Sequence, residues 1–172
     1  MKRENPCAVW RRPLVDQRHA LNACVDKGLN RIPSQHPRSE VFFRADDIAV
    51  PTDKFRHLLA LFARYQTPLA LAVVPTWLTA SRWQELVQAG AHTPRLWCWH
   101  QHGWQHKNHA PQGKKEEFGD NRSREDLRGD IVAGQQRLKA LLPESLQLLF
   151  TPPWNRCGSK ALELLSQLGF KA

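Results

Sequence analysis

The chain has 172 residues, enough for one domain with a real hydrophobic core. With 41% hydrophobic and 24% charged residues, its composition excludes a disordered or fibrous protein. The net charge is +9, but no basic run exceeds a doublet such as Arg11-Arg12 or Lys114-Lys115, so a dedicated nucleic-acid surface is not expected.

Residues 13 to 29 open on Pro13 and space Leu14, Arg18, Leu21, Val25 and Leu29 about one turn apart, which predicts an amphipathic helix. Ile32-Pro33-Ser34-Gln35-His36-Pro37 breaks any helix and reads as a connector. The expected organisation is therefore an N-terminal helix and connector over 1–39, then a single α/β domain over 40–172. Val41 to Ala45 is a strand candidate. Thr52 can cap a helix in which Phe55, Leu58, Leu59 and Phe62 share one face. Leu69 to Val74 is a continuous apolar run, as in a strand covered on both faces and far too short to span a bilayer. Ser81 to Ala89 predicts a short helix stopped by Gly90, and Leu96 to Trp99 a third strand.

Residues 107 to 121 are polar and read as a long loop, of a kind often functional or mobile. Ser123 to Leu142 predicts the longest helix, with Leu127, Ile131, Leu138, Leu141 and Leu142 on its stripe. Leu146 to Phe150 is a fourth strand, Ser159 a cap for a last helix, and Gly169 its stop. Phe170-Lys171-Ala172 would begin another strand. Trp83, Trp97 and Trp10 read as core or packing residues. The four cysteines form no C-x-x-C pair, which argues against a structural zinc knuckle and for free thiols. No apolar stretch follows the N-terminal charges, which points to a cytoplasmic chain.

Alternating strands and helices imply a mostly parallel sheet, open or closed into a barrel, with chemistry at the carboxyl ends of the strands. Asp46-Asp47 follows the first strand and Pro75-Thr76-Trp77 the second. His100 to His109 follows the third, and Thr151-Pro152-Pro153-Trp154-Asn155 the fourth. Each motif alone has an ordinary reading as a turn, a cap or a surface histidine. Together they bring acids, imidazoles and tryptophans to one rim. One carboxylate plus two imidazoles, here Asp47, His102 and His106, is a first shell for a catalytic divalent metal. Adjacent strand residues point to opposite sides, so Asp46 and Asp47 should divide their roles.

Arg44-Ala45-Asp46-Asp47, His102-Gly103-Trp104-Gln105-His106 and Thr151-Pro152-Pro153-Trp154 resemble the three leading motifs of the polysaccharide deacetylase family. This is the NodB-homology group, or carbohydrate esterase family 4. The resemblance implies a distorted (β/α) barrel. It implies Asp46 as general base and Asp47, His102 and His106 as ligands of a divalent metal, zinc first and Co, Ni, Mn or Fe as alternatives. It also implies hydrolysis of an acetyl group from an N-acetylated sugar or polysaccharide by a metal-activated water. Trp77, Trp104, Pro153, Trp154 and Asn155 are the candidates to contact that carbohydrate.

Gly103 stands where the family has Ser or Thr, Ile48 where it has Gly, and Trp154 where it has Tyr. Thr151 stands where it has the Arg that orients the base, and Arg44 is the candidate replacement. The Leu-x-His motif that supplies the family's general acid has no counterpart before Ala172, leaving His100 or His109 as substitutes. The expectation is thus an incomplete barrel, with its last strands missing, that binds metal and turns over slowly or not at all. The alternative from another class is a non-catalytic glycan- or polyanion-binding domain with a vestigial metal site.

Overall fold

The structure is a computed structural model that describes residues 14–30, 42–91 and 95–171. These fall into two compact units that divide after residue 41. In the first, α1 (Leu14–Leu29) is a single helix, as its spacing predicts, with Leu21 and Val25 exposed. The connector at 32–37, Trp10 and Val41 lie outside the described residues.

The second unit alternates strand and helix: β1 (Phe43–Ile48), α2 (Asp53–Arg64), β2 (Leu69–Val73), α3 (Ala80–Leu86), β3 (Trp97–His102), α4 (Arg124–Leu141), β4 (Leu146–Thr151) and α5 (Ser159–Gln167). The strands form one all-parallel sheet in the order β1-β2-β3-β4. Parallel orientation puts all four carboxyl ends on one rim, where the motifs were expected.

Local chemistry sets most boundaries. Thr52 accepts the Phe55 N–H at 3.2 Å and starts α2. Ser123 accepts the Asp126 N–H at 3.0 Å and starts α4. Helix α3 starts one residue earlier than its apolar pattern suggests, because Thr79 is its cap. A π-helical turn, Val87–Ala91, then carries the chain to Gly90 at φ 98°, a backbone that suits glycine. Strand β3 runs three residues beyond its apolar stretch, because His100, Gln101 and His102 are buried there with hydrogen-bond partners.

One core cluster joins the sheet to α2, α3 and the end of α4, around Trp99, Leu59, Leu71, Leu86 and Leu138. Trp83 meets Trp99 edge-on at 5.2 Å, so it and Trp97 are core residues as expected. A second cluster lies between α4, α5 and Phe118. Helix α4 serves both through Leu127, Ile131, Gly134 and Leu138, a stripe at helical spacing. Among the described residues no helix is long and apolar enough to cross a membrane.

The stretch between β3 and α4 is irregular, as expected, yet firmly anchored. Phe118 is fully buried, pairs with Cys157 in an isolated bridge, and accepts the Gly158 N–H at 2.8 Å. The cap of α5 differs from expectation: Ser159 is its first residue and Gly158 its N-cap. The capping carboxylate is Asp120, which accepts the N–H groups of Ser159 at 3.1 Å and Lys160 at 3.0 Å. Gly158 leaves room for it, since a Cβ there would lie 2.5 Å from Asp120 Oδ1. Gly169, at φ 78°, ends α5 with Phe170 N–H bonded to Leu165 O at 2.9 Å. Lys171 makes one bridge to Leu149 beyond it.

The Lys160 and Ser159 N–H groups hold the Asp120 carboxyl below its ordinary value. A carboxyl held low stabilises the folded chain above the ordinary carboxylate pKa and loses that effect as pH falls through the lowered value. Asp120→Ala is therefore expected to lower the urea midpoint at pH 7, with the gap from the unmodified chain closing in strong acid. Ser159 and Lys160 amides that exchange as slowly in Asp120→Ala as in the unmodified chain would contradict this cap.

Candidate metal centre

The rim brings three donor atoms together. His102 Nε2 lies 3.4 Å and His106 Nε2 3.1 Å from the same oxygen, Asp47 Oδ1. One ligand atom from each of the three lies within 4.8 Å of the others. This N₂O set suits a divalent transition metal, and it converges without any side chain having to move far. The side chain of His102 is 2% exposed, that of His106 15% and that of Asp47 54%, so the site is backed by protein and open on one side.

His102 is oriented by the strand beside it. His102 stands opposite Thr151 in the β3–β4 ladder. Its Nδ1 lies 2.9 Å from the Thr151 carbonyl, which can only accept. That fixes the proton on Nδ1 and leaves the Nε2 lone pair facing Asp47. Burial holds His102 below the usual histidine value, against opposing pulls from the Thr151 carbonyl and the carboxylates of Asp46 and Asp47. The neutral imidazole is the form that ligates metal.

Strand alternation would send Asp46 and Asp47 apart. The β1 register shifts between Ala45 and Ile48, and Asp47 takes a left-handed φ of 61°. Both carboxylates consequently act on His102. Asp46 is gripped by Arg44, with Nε to Oδ1 at 2.7 Å and an Nη to Oδ2 at 3.0 Å, a bidentate pair. Arg44 also donates to Asn155 Oδ1 at 2.5 Å. The candidate replacement for the missing arginine thus reaches the carboxylate it was expected to reach.

His106 follows a turn and has φ 57°. Its ring lies 4.3 Å from that of Trp154 and 5.5 Å from that of Trp77. Lys115 lies over the Trp154 ring at 6.0 Å. Trp104 instead packs against the Phe118 cluster, and its carbonyl accepts from Thr76. Pro153 is buried in the turn that carries Trp154 and Asn155.

His100 is buried with both ring nitrogens engaged, Nδ1 to Cys98 O at 3.1 Å and Nε2 to Thr151 Oγ1 at 2.9 Å. It supports Thr151 and offers the metal nothing. His109 takes its electrostatic influence from Arg122, Lys107, Asp130 and Asp126. Four positions that the motifs do not mark help hold the rim. Gln101 ties the end of β3 to α4 by donating to Gly103 O and Ile131 O, in space left by Gly134. Arg137 donates from α4 to Pro75 O and Leu78 O, fixing the loop of Trp77. Glu117, fully buried, accepts the Gln105 N–H at 2.7 Å and the Trp104 N–H at 3.3 Å. Burial pushes its carboxyl up, and those N–H groups pull it back down.

The model of the polysaccharide deacetylase family matches residues 34–172. No curated protein matches the chain by sequence. Three solved structures illustrate the fold. A carbohydrate esterase family 4 pseudoenzyme from Bacillus anthracis has TM-score 0.58 and 12% identity over 77% of this chain and 42% of its own. A family 4 carbohydrate esterase from Streptomyces lividans, in complex with acetate, has 0.56 and 15% over 78% and 61%. IcaB from Ammonifex degensii has 0.60 and 19% over 76% and 57%. The chain therefore spans roughly half the length of these structures, and its sheet and helices match that part of their (β/α) fold.

The two bonds to Thr151 differ in origin, and a substitution separates them. Thr151→Val should cost about 1–3 kcal/mol by orphaning His100 Nε2. It should leave metal affinity within about threefold, because the His102 bond is to the carbonyl. Zinc titration beside urea unfolding checks both, and a large loss of affinity would assign the orienting role to the hydroxyl.

Proposed function

The chain belongs to the polysaccharide deacetylase family, and from that premise we propose that it is a metal-dependent hydrolase that removes an acetyl group from an N-acetylated sugar or polysaccharide. The convergence of Asp47, His102 and His106 carries this reading. These three would hold a divalent ion, zinc being the first choice for an N₂O set with an open side. A metal in such a site supplies Lewis-acid polarisation of a carbonyl and makes water more acidic.

The remaining chemistry falls to the protein. Asp46 keeps unshared lone pairs on both oxygens while Arg44 fixes its plane, so it can take the proton of an attacking water at either oxygen. Asn155, held by the same arginine, couples the turn of Trp154 to the base. Trp154 and Trp77 flank His106 and provide apolar faces against which a sugar ring can stack. Buried His102 closes the back of the site against water.

A second reading, glycan or polyanion binding without turnover, is favoured by the Lys115–Trp154 pair at the open side. Binding that survives Asp46→Asn and weakens steeply with salt would select it.

The test of the main reading is acetate release from N-acetylglucosamine oligomers, with chelator and zinc add-back. His102→Ala with His106→Ala should abolish stoichiometric zinc uptake. Asp46→Asn should keep uptake and lower release by about 10²-fold or more. Arg44→Met should keep uptake and lower release by about 10²-fold, through a misaimed base. Unchanged zinc uptake in the double histidine variant would sink the site.

A further inference from the structure

We propose that Glu117 is the positioning residue of this site: its carboxylate gathers the backbone N–H groups after Gly103 and so sets where the His106 imidazole stands. The proposal rests on the reading of His106 as a ligand.

Four observations carry it. Glu117 has 0% exposure, and the donors to its carboxylate are backbone N–H groups, those of Gln105 at 2.7 Å and Trp104 at 3.3 Å, with those of Lys107 and His106 facing it as well. A buried carboxylate without a counter-cation is costly, and successive N–H groups curled around it form an anion nest that offsets the cost. Second, the carboxylate enters the space that Gly103 leaves open, where a Cβ would lie 2.1 Å from Glu117 Oε2 and 2.6 Å from Pro153 Cγ. The glycine in place of the family's Ser or Thr and the buried acid are two halves of one arrangement.

Third, His106 has φ 57°, a conformation that persists in a non-glycine residue only when its surroundings impose it. The nest spans that residue. Fourth, the anchor itself is fixed. Phe118, next in sequence, is fully buried and tied to Cys157 and Gly158, while Arg122 donates to Glu117 O. The His106 turn is thus held from the second core cluster, independently of the strand that carries His102.

The test uses the full chain. In the metal-free protein, the amide of Gln105, an exposed loop residue, should exchange with solvent as slowly as amides of β3. Free exchange there overturns the proposal without any variant. Glu117→Gln turns a donor toward the N–H groups, so protection at 104–107 should fall tenfold or more while β2 and β3 keep theirs. Zinc affinity, measured against a chromophoric chelator, should fall 10–100-fold in the folded variant. A folded variant with unchanged affinity overturns the proposal, because a purely structural acid would leave the ligand geometry intact. Glu117→Asp, which draws the carboxylate back by one methylene, should reproduce the loss and replaces Glu117→Gln if that variant does not fold. If the unmodified chain takes up no zinc, the metal reading fails, and the exchange measurement still decides the role of Glu117.

Discussion

Thr151 sits opposite His102 in the parallel ladder of β3 and β4, and its carbonyl accepts the Nδ1 proton of that histidine at 2.9 Å. The His102 side of the rim is registered to this contact. It fixes the tautomer, and the tautomer fixes the atom presented to Asp47. Asp47 arrives from β1, two strands away, across the end of the shorter β2. Its left-handed backbone turns the carboxylate inward. β1 shifts register against β2 between Ala45 and Ile48, and β3 against β4 between Trp99 and Gln101, beside the strand ends that carry Asp47 and His102.

Strain gathers where function is expected. Among the described residues five non-glycines have positive φ, and four of them, Asp47, His106, Trp154 and Asn155, belong to this rim. Left-handed backbone costs on the order of 1 kcal/mol per residue, less for Asp and Asn. Three of these four have polar partners beside them: Arg44 at Asn155, Glu117 at the turn of His106, and the two imidazoles at Asp47. The result is a set of side chains held by groups from several elements, so that no single loop defines the site.

Much of this was legible in the sequence, because strand ends and paired motifs are local signals. Alternating elements placed Asp46, Asp47, His102 and His106 on one rim, and the helix cap Thr52 was readable from its position alone. What escaped was long-range. Glu117 is one acid in Lys114-Lys115-Glu116-Glu117, a string that reads as a solvated loop, and nothing local reveals that it turns inward twelve residues from Gln105. Asp120 caps a helix 39 residues away. Trp104 looked like a rim residue by position but is drawn into the Phe118 cluster, since apolar area is better buried there. Burial also misled: His100, Gln101 and His102 broke the apolar pattern of β3, although buried polar groups that find hydrogen-bond partners extend a strand as well as apolar ones do, and all three find at least one.

The departures from the family pattern are coupled. Threonine at 151 leaves no guanidinium on β4, and Arg44 on β1 grips Asp46 with two hydrogen bonds. The freed position is reused: the Thr151 hydroxyl engages His100, and its backbone engages His102. Arg44 also bridges from Asp46 to Asn155, so the end of β1 and the turn after β4 are joined through one guanidinium.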